Sequence, residues 1–277
     1  MSRPELIVAV GGTAIACCIG GILLSALDGP AMQASGTHAA AWVDIGKSAL
    51  GTLFGSVVAF GSFLLQRQYQ HRRDNIVAGN LALFKLRSIQ KATLQLRYLV
   101  RYEIAMKVSQ FSDAPDWILV RPMVFSLQGD YSFDMVKLAF LLDSPDGRDA
   151  MKTVKYAEVL FGDLLTAFEQ QQKCAIEMQD ESVHVAKTNR NAEWSEIADH
   201  LGPAAVGRLE SLFRALLQRV EQNPTLHEQT FDRLRRDLGR RFGDQVWDLD
   251  FPRSSDPVEG LAQLPGRLKV WLETLPT

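Results

Sequence analysis

The chain has 277 residues, is 47% hydrophobic and carries a net charge of -2 at neutral pH. Its three cysteines exclude a disulfide framework, because Cys17 and Cys18 are adjacent in an apolar stretch and Cys174 lies on a predicted cytosolic helix. The sequence contains no phosphate-binding glycine loop, no G-x-S-x-G or H-E-x-x-H motif and no kinase signature. We therefore expect a protein that is not an enzyme and has no catalytic residues, metal ligands or cofactor.

Two apolar segments within residues 1–66 predict a transmembrane hairpin, with spans at about 6–27 and 46–66. A helix of about 20 apolar residues crosses the roughly 30 Å hydrocarbon core of a bilayer. Lys and Arg are absent between the spans and recur just after the second, and such residues stay on the cytoplasmic side. We expect a multi-pass protein of the bacterial inner membrane, with the N-terminus and the C-terminal domain cytoplasmic. A cleaved signal peptide is the alternative for the first span, although its apolar run exceeds the usual 7–15 residues, roughly, of such peptides.

Small residues recur one helical turn apart in both spans. They are Gly12, Ala16 and Gly20 in the first span and Gly51, Gly55 and Ala59 in the second. This spacing lets helix backbones approach closely in lipid. It predicts helix packing, either between copies in a homo-oligomer or between the two spans of one molecule.

Residues 67–110 predict a long basic helix beside the membrane. Apolar residues recur there at steps of three and four, no proline interrupts them, and Gly79 is the one weak point. Nine Lys and Arg face two acids between residues 67 and 107, a net charge of +7, whereas residues 108–277 carry -8. We expect contact with anionic lipid headgroups, chiefly through Arg67, Arg72 and Arg73. Binding to nucleic acid phosphates and pairing with the acidic part of the chain are the alternatives.

Residues 111–277 predict a cytosolic helical bundle, which makes the whole chain all-α. A helix is expected near Ser132, and Ser144-Pro145-Asp146 predicts the capped start of another that runs towards Lys187. Further helices are predicted at 193–201, 203–222 and 224–242, with Asn223-Pro224 as a break, and a last short helix from Asp256-Pro257.

Three clusters in this region suggest chemistry. Glu181 and His184, with Glu177 and Asp180 nearby, have the spacing of a di-iron helix pair, but no second Glu-x-x-His exists, so a solvated acidic face is favoured. Ile197–Gly202 with Val206 resembles part of a helix-turn-helix, yet its turn is short and direct DNA binding is not expected. The five arginines between Phe231 and Phe242 predict a surface of ion pairs or, alternatively, an anion-binding patch.

An uncharged hairpin with small-residue stripes, a basic exit helix from Arg67 and a helical cytosolic domain together resemble the two-span effectors of bacterial anti-phage defence, of the retron-associated membrane type. The resemblance covers the architecture of residues 1–110 and carries over no functional residue. It implies a toxin-like effector in antiviral defence whose soluble part holds the protein silent until infection, when its spans damage the inner membrane. We also expect a cytosolic protein or ribonucleoprotein partner. The alternatives are a non-catalytic membrane anchor or scaffold presenting a protein-binding domain, and an enzyme that acts at the membrane surface through Glu177–His184.

Overall fold

A computed structural model describes residues 37–111, 113, 115–120, 122–123, 130–188 and 193–253. The regular structure in these residues is entirely helical, which confirms the predicted all-α class for this part of the chain. The α-helices are α1 (Thr37–Gln110), α2 (Pro145–Thr188), α3 (Trp194–Leu201) and α4 (Pro203–Phe242), and short 3-10 helices occupy Asp116–Ile118, Ala139–Asp143 and Gly243–Gln245. The predicted first span lies outside the described residues.

Helix α1 joins the predicted second span and the predicted basic helix into one element. It ends at Gln110, as predicted, and Gly79 does not interrupt it. A Cβ atom on Gly79 would lie 2.7 Å from a methyl carbon of Leu238 in α4. Glycine at this position therefore allows α1 and α4 to approach closely, a role in packing that its helix-weakening propensity does not reveal.

The chain divides into two compact units, residues 1–75 and 76–277. In the second, hereafter the C-terminal unit, apolar side chains of α1, α2 and α4 form the main core. The stripe predicted on α1 is fully buried, at Leu83, Leu86, Ile89, Leu96, Val100 and Ile104. Facing it are residues such as Val154, Phe161 and Leu164 of α2 and Phe213, Leu217 and Phe231 of α4. Burial of a large apolar side chain stabilises by about 1.5–3 kcal/mol, so this core is the main source of stability of the unit.

The start of α2 confirms the predicted cap and corrects the segment before it. The Gly147 amide donates to Ser144 Oγ at 3.0 Å, and the helix begins at Pro145. No α-helix forms near Ser132, because the side chain of Asp130 accepts hydrogen bonds from both the amide and the hydroxyl of Ser132. Such local side-chain bonds compete with helix formation and favour a turn.

Helix α4 corrects the prediction that Asn223-Pro224 separates two helices. It runs unbroken from Pro203 to Phe242. Proline in a helix interior costs about 3 kcal/mol, but both residues are buried and the Asn223 side-chain amide donates to the Leu160 carbonyl of α2 at 3.0 Å. Packing of the helix on both sides of the proline outweighs the one missing backbone hydrogen bond. The last helix, predicted from Asp256, lies outside the described residues.

Residues 243–253, which we name the strap, follow α4 and lie along α1. Side chains of α1 form hydrogen bonds with the strap backbone at three successive positions. The Asn80 side chain donates to the Gln245 carbonyl at 3.1 Å and accepts from the Trp247 amide at 2.9 Å. Farther along α1, Arg87 donates to the Asp250 carbonyl at 2.5 Å and Gln90 donates to the Pro252 carbonyl at 3.1 Å. The strap is also fastened to α4. Phe251 stacks on Phe231 with ring centroids 4.0 Å apart, and Arg253 forms a two-pronged ion pair with Asp232.

Candidate membrane-contacting helix

The first part of α1 is long and apolar enough, by length and composition, to span a membrane. The candidate span begins at Leu50, and its apolar segment is not buried inside the structure. Leu53, Phe60 and Phe63 are 63%, 63% and 57% exposed. Exposed apolar surface on this scale is unfavourable in water and is typical of a segment that contacts lipid or another helix.

Two hydroxyl groups in this segment are satisfied within the helix. Thr52 Oγ1 donates to the Ser48 carbonyl at 2.9 Å, and Ser56 Oγ donates to the Thr52 carbonyl at 2.8 Å. Polar groups without partners are costly in hydrocarbon, and bonds back to the preceding turn remove that cost. The two residues are therefore compatible with a lipid environment.

Gly51, Gly55 and Ala59 lie on α1 and are exposed. A Cβ atom added to Gly51 or Gly55 would meet no other group within 4 Å. The small-residue face of the second span is thus uncovered in the described structure. Its predicted counterpart, Gly12, Ala16 and Gly20, lies outside the described residues, so packing within one molecule and packing between copies both remain predictions.

Seven basic residues of α1 fall into two groups. Arg67, Arg72 and Arg73 are exposed, and their contact with lipid headgroups stays a prediction. Four basic residues farther along α1 instead form bonds within the C-terminal unit. Lys85 forms an ion pair with Asp130 at 3.0 Å, and Arg87 donates to the strap backbone. Arg97 and Arg101 form ion pairs with Glu221, at 2.9 and 2.6 Å. Internal pairing, which was the less favoured interpretation of the basic stretch, therefore describes this second group.

Glu221 of α4 holds two arginines of α1 at once. Arg101 donates to both carboxylate oxygens, at 2.7 and 2.6 Å, and Arg97 donates to one of them. The side chains of Arg97 and Arg101 are only 14% and 25% exposed, and that of Glu221 is 12% exposed. Burial lowers the pKa of Arg97, with Glu221 opposing the change and the neighbouring Arg101 adding to it. The site is an ionic clamp between two helices rather than an open anion site.

The predicted acidic cluster does not form a metal centre in the described part of the chain. Glu177, Asp180 and Glu181 are exposed on α2, and the side chain of His184 lies outside the described residues. Among the residues that the structure describes, no group of three His, Cys, Asp or Glu could hold a metal ion.

The helix-turn-helix resemblance corresponds to a packing element. Only Gly202, with a φ of +78°, separates α3 from α4, whereas the turn of a DNA-binding helix-turn-helix has about 3–4 residues. Ile197 of α3 and Leu209 of α4 are buried with Cys174 and Ala175 in a second small core. Burial accounts for the apolar residues of the motif, and the expectation that the chain does not bind DNA directly stays a prediction.

The arginine-rich end of α4 is mostly paired. Arg241 lies 2.8 Å from Asp237 and also donates to the Phe140 carbonyl at 2.7 Å. Further ion pairs join Arg235 to Asp248 and Arg240 to Asp146. Arg233 and Arg236 are exposed. The surface of ion pairs therefore describes most of the cluster.

A buried histidine was not anticipated from the sequence. His227 of α4 has no exposed surface, and neither ring nitrogen has a hydrogen-bond partner among the described residues. Burial lowers its pKa to about 4, although the backbone of Ala157 in α2 acts in the opposite direction and favours the protonated ring. Its burial could have been predicted from its position in the sequence, because it lies one helical turn from Phe231 and from Asn223, both of which are buried.

We expect His227 to make the stability of the protein depend on pH. Its pKa of about 4 in the folded state lies below the ordinary value of 6.5, so the unfolded chain binds the extra proton between these values. Stability is thus full above pH 6.5 and is lost as the pH falls towards 4. Linkage gives a loss of about 2 kcal/mol between about pH 7 and about pH 5.

The measurement is urea unfolding of the full chain in detergent at these two pH values. His227→Gln removes the titrating ring and should reduce the pH-dependent loss by most of that amount. His200→Gln is the matched control, because His200 is exposed on α3. An equal pH dependence in the wild type and in His227→Gln would contradict the assignment.

No protein family model, curated protein or solved structure matches this chain. The functional conclusion therefore depends on the chemistry of the chain itself, above all on the exposed apolar part of α1.

Proposed function

We propose that this chain is a bacterial inner-membrane effector in anti-phage defence. Its C-terminal unit binds a cytosolic protein or ribonucleoprotein, and its spans assemble and disrupt the bilayer when that partner changes. The observation that carries the proposal is the dual character of α1. Most apolar residues between Leu53 and Leu64 are exposed, whereas the apolar stripe from Leu83 to Ile104 is buried, within one uninterrupted helix.

This character supports a direct link between partner binding and the membrane. The same continuous helix extends from the candidate span into the C-terminal unit. The α1 residues of the C-terminal unit are held by the core, by the Glu221 clamp and by the strap. A partner that moves this unit therefore acts on the same helix that carries the candidate span.

The topology follows from charge. The residues between the proposed spans carry no Lys or Arg, and Arg67, Arg72 and Arg73 follow the second span on the exposed surface of α1. Retention of positive residues on the cytoplasmic side supports a hairpin with both ends inside. It also supports contact of these three arginines with anionic headgroups, worth about 1 kcal/mol each near the surface.

We expect induced expression of the full chain to depolarise the bacterial inner membrane. The measurement is the fluorescence of a voltage-sensitive dye, with the level of the protein in the membrane fraction checked by immunoblot. A shorter chain that begins at Arg67 is the control and should leave the potential unchanged, because it lacks both proposed spans. Normal potential and growth with the full chain present in the membrane would contradict the effector proposal.

A membrane anchor or scaffold is the second candidate. It is favoured by the division of the chain, because residues 76–277 form a compact unit separate from the segment that carries the span. Under this function the chain from Arg67 onwards would still capture its partner, and the full chain would be harmless when overexpressed. The dye experiment therefore separates the two functions.

A further inference from the structure

The exposed face of α1 in the C-terminal unit carries a heptad pattern. Between residues 77 and 102, eight positions follow one another in alternating steps of four and three residues, and none of these eight residues is buried. Five of them are large apolar or aromatic residues, and all five are exposed: Val77, Leu81, Phe84, Tyr98 and Tyr102. Such a pattern over about four heptads is typical of coiled-coil contacts between helices. We name the eight positions the exposed seam.

The three polar positions of the exposed seam are compatible with contact to an identical helix. The Ser88 hydroxyl donates to the Phe84 carbonyl at 3.0 Å, so it brings no unsatisfied donor into such a contact. The Gln95 carboxamide has both a donor and an acceptor group, and it can therefore pair with the same group of a second copy. Lys91 is the only charged residue of the seam, and a single lysine at a seam position restricts the register of two helices at some cost in stability.

The residues beside the exposed seam bring no like charges together when two copies lie parallel. With Leu81 at position a of the heptad, position g of one helix meets position e of the following heptad of the other helix. The pairs across the contact each contain at most one charged residue: Asn80 with Lys85, Arg87 with Ala92, Leu94 with Leu99, and Arg101 with Met106. The three basic residues among them are also bonded within their own chain, to Asp130, to the strap backbone and to Glu221. Two copies of this face are therefore electrostatically compatible.

We propose that two copies of this chain pack in parallel through their exposed seams, as a two-stranded coiled coil of residues 77–102. A second copy fits the pattern because a parallel contact places each seam residue against itself, so that apolar layers meet apolar layers. The opposite stripe of α1, which includes Leu83, Leu86 and Ile89, packs in the core of its own chain. At a rise of about 1.5 Å per residue, the contact is about 38 Å long.

The parallel direction rests on the membrane insertion included in the proposed function. Two chains that cross one bilayer with the same topology carry their α1 helices in the same direction through the membrane. The seam itself uses only residues of the C-terminal unit, and it adds to the proposed effector a contact between copies outside the lipid.

Disulfide cross-linking of the full chain in bacterial membranes tests this proposal. Leu81→Cys is introduced into a chain in which the native cysteines are replaced by alanine, at positions 17, 18 and 174. Opposite residues of a parallel seam lie within the Cα separation of about 4.4–6.8 Å that a disulfide requires. We expect mild oxidation to convert most of this variant to a covalent dimer. Ile176→Cys, exposed on α2, is the matched control and should cross-link severalfold less.

Equal cross-linking of Leu81→Cys and Ile176→Cys, or no dimer in either, would overturn the proposal. Antiparallel packing would also overturn it, and this arrangement has its own signature. Position 81 of one copy would then lie opposite position 98 of the other, so Leu81→Cys would cross-link to Tyr98→Cys in mixed membranes but not to itself.

Lys91→Glu tests the register without cysteines. Lys91 is exposed, so this substitution leaves the core intact. In a parallel seam in register, Lys91 lies opposite Lys91, and a copy with Lys91→Glu should therefore pair with the wild type in preference to itself. When the two chains are co-expressed with different tags, we expect mixed pairs to exceed like pairs severalfold on purification. Random pairing would overturn the register.

Both measurements report association between copies and not membrane potential. Cross-linking at Leu81→Cys in a chain that does not depolarise the membrane would retain the seam and contradict the effector function. Depolarisation by a chain that shows no cross-linking at this position would retain the effector function and overturn the seam.

Discussion

Glu221→Gln should lower the free energy of unfolding by about 2–3 kcal/mol, the largest stability effect that we expect from a single isosteric change. Removal of one partner from a fully buried ion pair costs about 3–5 kcal/mol, and partial solvent access at this site reduces that cost. Glutamine keeps the shape and one acceptor oxygen but removes the charge that Arg97 and Arg101 share, so that Glu228 alone opposes the lowering of the pKa of Arg97 by electrostatic attraction. Their mutual repulsion, added to the burial of Arg97, produces the loss.

Chemical unfolding of the full chain in detergent measures this loss at fixed pH and salt. Glu169→Gln on α2 makes the same chemical change at an exposed position and should alter stability by less than about 0.5 kcal/mol. Adding Arg101→Gln to Glu221→Gln removes the repulsion and should recover part of the loss. If Glu221→Gln and Glu169→Gln behave alike, the clamp contributes nothing to stability.

The sequence predicts the parts of this fold that depend on local pattern. The apolar stripe of α1 follows from the spacing of residues such as Leu83, Leu86 and Ile89, all of which are fully buried. The start of α2 follows from the hydrogen-bonding capacity of Ser144 and the fixed backbone angle of Pro145. In both cases the deciding interactions lie within one or two helical turns, where sequence spacing determines geometry.

The features that could not be predicted depend on contacts between distant residues. Pro224 lies within a continuous helix because that helix packs on α2, including the bond from Asn223 to Leu160, which is 63 residues away in sequence. Arg101 and Glu221 are 120 residues apart, and their charges alone gave no reason to pair them rather than to place the arginine at a lipid surface. Tertiary packing overrides local propensity and average charge in both examples.

In the candidate membrane-contacting helix, too, some features follow from local sequence pattern and others depend on contacts between distant residues. The exposed apolar segment from Leu50 and the open positions at Gly51 and Gly55 follow from composition and small-residue spacing. The separation of exposed Arg67, Arg72 and Arg73 from the internally bonded Lys85, Arg87, Arg97 and Arg101 does not, because it requires knowledge of what faces each side chain. A count of charges predicts where a segment can bind, but burial decides which of its charges remain available.

Gly55→Leu should abolish membrane depolarisation by the full chain, reducing the dye response to that of the chain beginning at Arg67. Gly55 is the middle residue of the small-residue face, and a Cβ there meets nothing within 4 Å, so the variant fits the helix itself. A leucine side chain would prevent close approach of a neighbouring helix at that turn. It would also make the span more apolar, so loss of membrane insertion cannot explain a loss of activity.

The matched control is Val57→Leu, which adds bulk about 200° around the helix from Gly55 and should leave depolarisation unchanged. Gly55→Ala, which keeps a small side chain, should retain most of the activity. Chemical cross-linking of membranes containing each variant shows whether the lost contact joins separate copies or the two spans of one molecule. Depolarisation by Gly55→Leu at the wild-type level would show that the bilayer is disrupted without close packing at this face. The spans would then act through their apolar surface alone, and Val57→Leu and Gly55→Leu would be equivalent.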